Sequence, residues 1–255
     1  MAKPGTAPTA LAILLAAGLA VAAEWWEKKP YTQWSDKEVQ RMMDNSPWGK
    51  IHTVTIMNPM TTGDRSYRTV GSGDLEREKK NLFHLHFLTA KPIRLAIVRK
   101  MTLAKDARIE NAVLERFIAQ TDERNIIVLM SLTAVPEGSS SFSGYRATLM
   151  KLSTPALITN TFLATKTGKR VYLTRYEPPG PDGLGARFYF PRLMEDGTPF
   201  ASIGDTEVRF ETAITLTESG TFSGIPGTAE ENERTDRIWM QFDLGKMLFE
   251  GKLEI

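Results

Sequence analysis

Three histidines are the residues of this chain best suited to chemistry. His84 and His86 stand two apart in the run 81–88, Asn-Leu-Phe-His-Leu-His-Phe-Leu. Successive side chains of a strand point to opposite faces, so residues two apart share a face. Two imidazoles on one face can hold a Zn²⁺ if a third ligand arrives from elsewhere. His52, in the strand-like run 51–57, is the candidate for that ligand. Such a site would serve a metal-dependent hydrolase, with zinc activating a bound water. The plainer reading makes these histidines the polar outer face of a half-exposed sheet, with Phe83, Leu85 and Phe87 turned inward. No His-Glu-x-x-His run or other ligand-rich motif supports the metal. Zinc therefore stands as the alternative, and neither a catalytic residue nor a cofactor is expected.

Other chemistry-bearing stretches resolve into architecture. Glu177-Pro-Pro-Gly-Pro-Asp-Gly-Leu-Gly185 holds two carboxylates but lacks the alternating acids of a calcium loop, and reads as a rigid corner. Gly168-Lys169 lacks the earlier glycine and the following Ser/Thr of a phosphate-binding loop. Gly71-Ser-Gly73 follows no clear strand, and no serine sits in a Gly-x-Ser-x-Gly elbow. The absence of cysteine excludes disulfides, thiolate metal sites and a Cys nucleophile. One enrichment stands out. Four of the five tryptophans fall within 24 residues, at 25, 26, 34 and 48. Exposed, Trp25, Trp26, Tyr31 and Trp34 would form a partner-binding surface, since Trp and Tyr dominate binding hot spots. Buried, they would fasten an N-terminal arm, residues 24–34, to the fold, and burial is the expectation.

The elements that must position these residues are mostly strands. Ser35-Asp-Lys-Glu38 is a capping box opening a short helix with Val39, Met42 and Met43 on its buried side, ending near Asn45-Ser-Pro47. Residues 93, 96, 97, 101 and 104 recur at helical spacing, and Asp106 caps a second helix whose stripe is Ile109, Val113, Phe117 and Ile118. Residues 125–132 are apolar nearly throughout, which predicts a central strand covered on both faces. Residues 145–152 read as a further strand and 155–159 as a helical turn. A hairpin is expected at 165–169, between 161–164 and a single strand 170–176. Strands follow at 186–190, 207–215 and 237–243, and a closing pair at 247–249 and 252–255. Loops are expected at 58–80 (with a short strand at 67–70), 136–143 and 219–235. No fixed-period repeat or Gly/Ser linker divides the chain. The expected fold is α+β and mainly β: one domain over 24–255, an antiparallel sheet or sandwich with two or three helices packed on it.

The first 23 residues stand apart. Lys3 precedes an apolar run of 13 residues, 11–23, and Ala20-Val-Ala22 fits the small-x-small rule for cleavage. This is a secretory signal peptide pattern, short for a membrane span of about 20 residues. The alternative is an uncleaved anchor over 7–23, with Trp25 and Trp26 at the interface, and only then would the chain touch a membrane. A net charge of +2, with Lys and Arg interspersed among acids, excludes a nucleic-acid footprint.

Trp34-Ser-Asp-Lys-Glu-Val39, Asn45-Ser-Pro-Trp48, Phe87-Leu-Thr-Ala-Lys-Pro-Ile-Arg94, Pro178-Pro-Gly-Pro-Asp-Gly-Leu-Gly185 and Gly251-Lys-Leu-Glu-Ile255 follow one another in this order. In this the chain resembles a group of uncharacterised exported bacterial proteins, over most of its length after the leader. The resemblance implies export, to the periplasm or outside the cell, and a single folded unit; it implies no site. The expected function is a non-catalytic binding or structural role in the cell envelope. Besides the hydrolase, the alternative is a subunit of an envelope complex, docked on an envelope protein partner through the Trp-rich arm.

Overall fold

The computed structural model describes residues 24–56, 79–104, 109–135, 137, 140–219 and 231–255. The leader, the Asp106 cap, the short strand at 67–70 and most of the loops expected at 58–80 and 219–235 lie outside the described residues. In chain order the elements are α1 (Asp36–Asp44), β1 (Gly49–Ile56), β2 (Lys79–Phe87), α2 (Lys91–Leu103), α3 (Asn111–Ala119) and β3 (Asn125–Val135). There follow α4 (Ser140–Lys151), α5 (Thr154–Leu157), β4 (Phe162–Thr165), β5 (Arg170–Tyr172), β6 (Arg175–Glu177) and β7 (Ala186–Pro191). The long strands β8 (Glu207–Ser219) and β9 (Glu231–Asp243) precede the small hairpin of β10 (Leu248–Phe249) and β11 (Lys252–Leu253).

The strands form a five-stranded sheet, β1-β2-β3-β7-β6, a four-stranded sheet, β5-β4-β8-β9, and the two-stranded hairpin, all antiparallel. The two larger sheets stack as a sandwich. Period-two alternation turns Phe83, Leu85 and Phe87 of β2, Val128 of β3 and Phe188 and Phe190 of β7 inward, all fully buried. They meet Phe210 of β8 and Phe242 of β9 edge to face, with ring centroids 4.8 Å apart for Phe87–Phe242 and 5.4 Å for Phe188–Phe210. The fold is therefore α+β and mainly β, with helices packed on a sandwich.

Helices α1, α2 and α3 lie on the outer face of the five-stranded sheet. The expected capping box opens α1, with Ser35 and Glu38 satisfying each other's backbone. Pro92 occupies the first turn of α2, where its missing N–H is no loss. The arm forms a turn and a short 3-10 helix at Tyr31–Gln33 rather than an extended segment.

Three expectations about elements are corrected. Residues 145–152 belong to α4, not to a strand. Tyr145 and Leu149 are buried one helical turn apart, and this spacing fits a helix as well as alternation fits a strand. The helix lies across one end of the sandwich. Tyr145 packs on Phe83 at 5.0 Å, and the Leu149 carbonyl accepts from the Tyr176 hydroxyl at 2.6 Å. The run 170–176 is not one strand. After Tyr172 the chain leaves the four-stranded sheet, and at Arg175 it joins the five-stranded one. Leu173 N–H still bonds to Thr161 and Thr174 N–H already bonds to Tyr189, so Tyr176, not Arg175, follows Leu173 into the core. On α3 only Leu114 is buried, while Val113, and Ile109 just before the helix, are exposed. This helix stands off the sheet instead of lying flush on it.

Candidate functional site

The three histidines do not meet. In the antiparallel register His52 lies opposite Phe83 and Ile51 opposite His84. Directly opposed residues share a face, so His52 points to the inner side of the five-stranded sheet and His84 and His86 to the outer. His52 Nδ1 is 3.0 Å from the carbonyl of Trp239 on the other sheet, and burial lowers its pKa against the pull of that carbonyl and of Asp236. His84 is occupied at both ring nitrogens: Nδ1 is 2.8 Å from an Asp44 carboxylate oxygen at the end of α1, and Nε2 is 2.8 Å from the Thr133 hydroxyl. Burial raises the Asp44 carboxyl, and the hydrogen bond and charge of His84 more than reverse this, holding it below the usual carboxylate range. Among the described residues no group of three or more His, Cys, Asp or Glu is placed to hold a metal. The alternative zinc site of His52, His84 and His86 is not brought together, because one residue of register puts His52 on the opposite face.

Among the described buried groups short of a hydrogen bond, which include the indole N–H groups of Trp25, Trp26 and Trp34, His86 is the titratable one. It is 2 % exposed, and neither ring nitrogen completes a well-formed hydrogen bond, although the Met43 carbonyl lies close enough to pull on the ring as a weak acceptor. Its ring lies 6.4 Å from that of His84, nearly parallel at 26°. Burial, and then the charge of His84, push its pKa down to about 4 against the pull of Asp44 and the nearby Met43 carbonyl, while Lys100 of α2 adds to the lowering. At neutral pH the ring is uncharged, with one N–H to donate and one lone pair to fill.

The ring lines a hollow of about 280 Å³ between α1, α2, β3 and the corner after β6. Lys100 and Met101 come from α2, and Leu129 and Ser131 from β3, where register places them beside His86 and His84 on the outer face. The corner supplies Asp182, Gly183 and Leu184. It folds this closely because Gly185 has φ +110°, and a Cβ there would sit 2.3 Å from the Met130 carbonyl. Asp182 is not an open ligand: it accepts from Arg187 and from the Leu184 N–H. Met101, Asp182 and Leu184 also line a second cleft, of about 440 Å³, roofed by α3 and floored by Leu88, Ile127 and Tyr189. Its cations are already engaged. Arg94 donates to the carbonyls of Leu88, Thr89 and Ile118, Arg187 pairs with Asp182, and Arg175 stacks on Tyr189 at 3.8 Å.

The aromatic arm belongs chiefly to the core. Trp34 is fully buried and Trp26 is 7 % exposed, while Trp25 and Tyr31 are half-buried. Their rings form an edge-to-face chain, Trp34–Trp25–Trp26–Trp48–Phe249, with centroids 5.4, 5.5, 5.4 and 6.3 Å apart. The partner-binding set of Trp25, Trp26, Tyr31 and Trp34 is thus split, and two of its four members are not presented to a partner. Arg99 ties the arm down by donating to the Trp34 carbonyl at 2.7 Å.

Sequence reasoning missed Lys100, Met101, Leu129 and Ser131. The available signal was Ser131, the lone hydroxyl in an otherwise apolar run from Ile126 to Leu132. Compared with protein-family models, with curated proteins and with solved structures, the chain matches none.

Proposed function

We propose that this is an exported protein of the bacterial cell envelope that binds a small, largely apolar ligand without transforming it. The observation that carries the reading is the pair of joined hollows on the helix-covered face, walled by α2, α3 and the Gly185 corner. Ligand sites are concave, mostly apolar and furnished with a few polar groups, and this face has that character. The signal-like run 11–23 and the resemblance to exported bacterial proteins support export. A non-catalytic role fits a site whose carboxylates and arginines are already engaged, Asp182 by Arg187, Asp122 by Asn125 and Arg94 by backbone carbonyls, with the His86 ring, the Ser131 hydroxyl and the Lys100 amine among the lining.

The test is saturable binding of an environment-sensitive apolar dye to the folded protein. One molecule should bind per chain, and Leu184→Trp, which fills the junction of the hollows, should weaken binding by roughly ten-fold or more. Dye binding that Leu184→Trp leaves unchanged would remove this face as the ligand site. N-terminal sequencing of the exported chain should find it beginning at or near Ala23; an intact leader would favour the anchored form.

A further inference from the structure

We infer that the hollow over His86 takes the carboxyl head of an amphipathic monocarboxylic acid, whose apolar tail lies in the adjoining cleft under α3. The inference rests on the ligand-binding reading above and names the ligand class.

Buried polar side chains are almost always hydrogen-bonded, and one that is not calls for an explanation. His86 is buried with only a weak contact to the Met43 carbonyl, although its strand neighbour His84, on the same face, has both nitrogens filled. The ring forms part of the wall of a hollow, with its nitrogens just beneath that surface. A partner entering that hollow would supply the missing bonds, and the groups around the ring restrict what it can be. The uncharged imidazole offers one donor and one acceptor. Ser131 adds a hydroxyl, and Lys100, exposed at the end of α2, adds a positive charge close enough to act on the ring.

With the ring N–H directed to the Met43 carbonyl, a carboxyl group answers the rest of the set. The proton it shares with the ring fills the acceptor nitrogen, and its oxygens accept from Ser131 and Lys100. Charge-assisted bonds of this kind are stronger than neutral ones. An alcohol leaves Lys100 unanswered. A quaternary ammonium is repelled by Lys100 and has no hydrogen to give. The carboxylates facing the ring do not defeat the fit: Asp44 is held by His84 and Asp182 by Arg187. Beyond the head the walls turn apolar, with Met101, Leu129 and Leu184 leading to Leu88, Ile127 and Phe117.

Isothermal titration of the folded protein with octanoate, octanol and octyltrimethylammonium tests this. Octanoate should bind one per chain, roughly ten-fold tighter than octanol, with the ammonium bound more weakly than either. Binding should take up a proton, seen as a dependence of the heat on the buffer's ionisation enthalpy, and should move the His86 ring resonances in NMR. Lys100→Ala, at an exposed position, should weaken octanoate several-fold and leave octanol unchanged. His86→Leu should erase the preference for octanoate while raising the thermal midpoint, because it removes an unsatisfied buried group. Octanol binding as tightly as octanoate would overturn the carboxyl inference and leave the ligand-binding reading standing. Failure of all three probes, with the dye also excluded, would overturn both. A preference that survives both Lys100→Ala and His86→Leu would show that the head sits elsewhere.

Discussion

The two sheets of the sandwich have outer faces built by the same alternation and finished in different ways. On the four-stranded sheet, register aligns Tyr172, Phe162, Glu211 and Trp239 in one row across β5, β4, β8 and β9. Tyr172 and Trp239 are 46 % and 44 % exposed. The polar groups of that face satisfy one another in water: Arg170 stacks over Phe162 at 4.3 Å, and Glu211 pairs with Arg209 and Arg237. On the five-stranded sheet three helices lie over the same kind of surface. There a polar residue is either matched by a neighbour, as His84 is, or left without a well-formed hydrogen bond, as His86 is. An uncovered face lets solvent finish each polar group. A covered face has no such remedy, so an unfinished group there stays unsatisfied unless a partner reaches it.

Breaking the cover should have the largest effect. Trp34 is fully buried against Trp25, so Trp34→Ala, which removes the ring and keeps the carbonyl bond to Arg99, should destabilise the fold by about 3–5 kcal/mol, a large share of the roughly 5–15 kcal/mol typical of a domain. The urea midpoint reads this directly. Removing residues 24–34 should do at least as much, and an unshifted midpoint would make the arm an accessory rather than core.

Acid should strain the covered face next. His86 is uncharged in the fold, and its pKa falls from the ordinary 6.5 to about 4. Between these values the unfolded chain binds a proton that the native ring refuses, so stability falls as pH falls. The loss by pH 4 is on the order of 3 kcal/mol, fully avoided above about pH 6.5. Asp44, Lys100 and His84 set the field at the ring, so the informative quantity is the difference between stability curves of the native protein and His86→Leu. Parallel curves would show that His86 titrates as it would in water.

A smaller effect belongs to the hairpin that starts the uncovered sheet. Gly168 has φ +94° and sits in open space, so Gly168→Val is strained by backbone alone. The cost should be about 1–3 kcal/mol in thermal unfolding, with ligand binding on the other face unchanged. Smallest is Arg170→Ala, which removes an exposed cation–π contact worth about 0.5–1 kcal/mol. If it rivalled Trp34→Ala, the contrast between the faces would fail.

Much of this architecture was legible in the residues. The alternation of 81–88, the capping box at Ser35, the Gly168 turn and the closing hairpin all rest on local spacing and local backbone demands. What was not legible depends on pairing. The face of His52 is fixed by its partner across the sheet, Phe83, and a strand read alone cannot show that. The same holds for the switch of sheets after Tyr172, set by hydrogen bonds to Thr161 and Tyr189. Tyr145 and Leu149 fit either period, and only the end of the sandwich they cover decides for a helix. The hollow over His86 is assembled from β2, β3, α2 and the corner, so no contiguous stretch carries its signature.

Glu254 has a bearing on how the chain acquires its shape. Its carbonyl accepts from the Trp48 indole at 2.8 Å, across 206 positions, and its carboxylate accepts from the Lys91 N–H at 2.8 Å. Beside it the Ile255 carbonyl accepts from Arg192 at 2.7 Å. Trp48 thus finds this partner only across nearly the whole described chain. Closing so long a loop is slow relative to local contacts. Loss of the Glu254 contacts would therefore loosen the chain at Trp48 and at the start of α2 together.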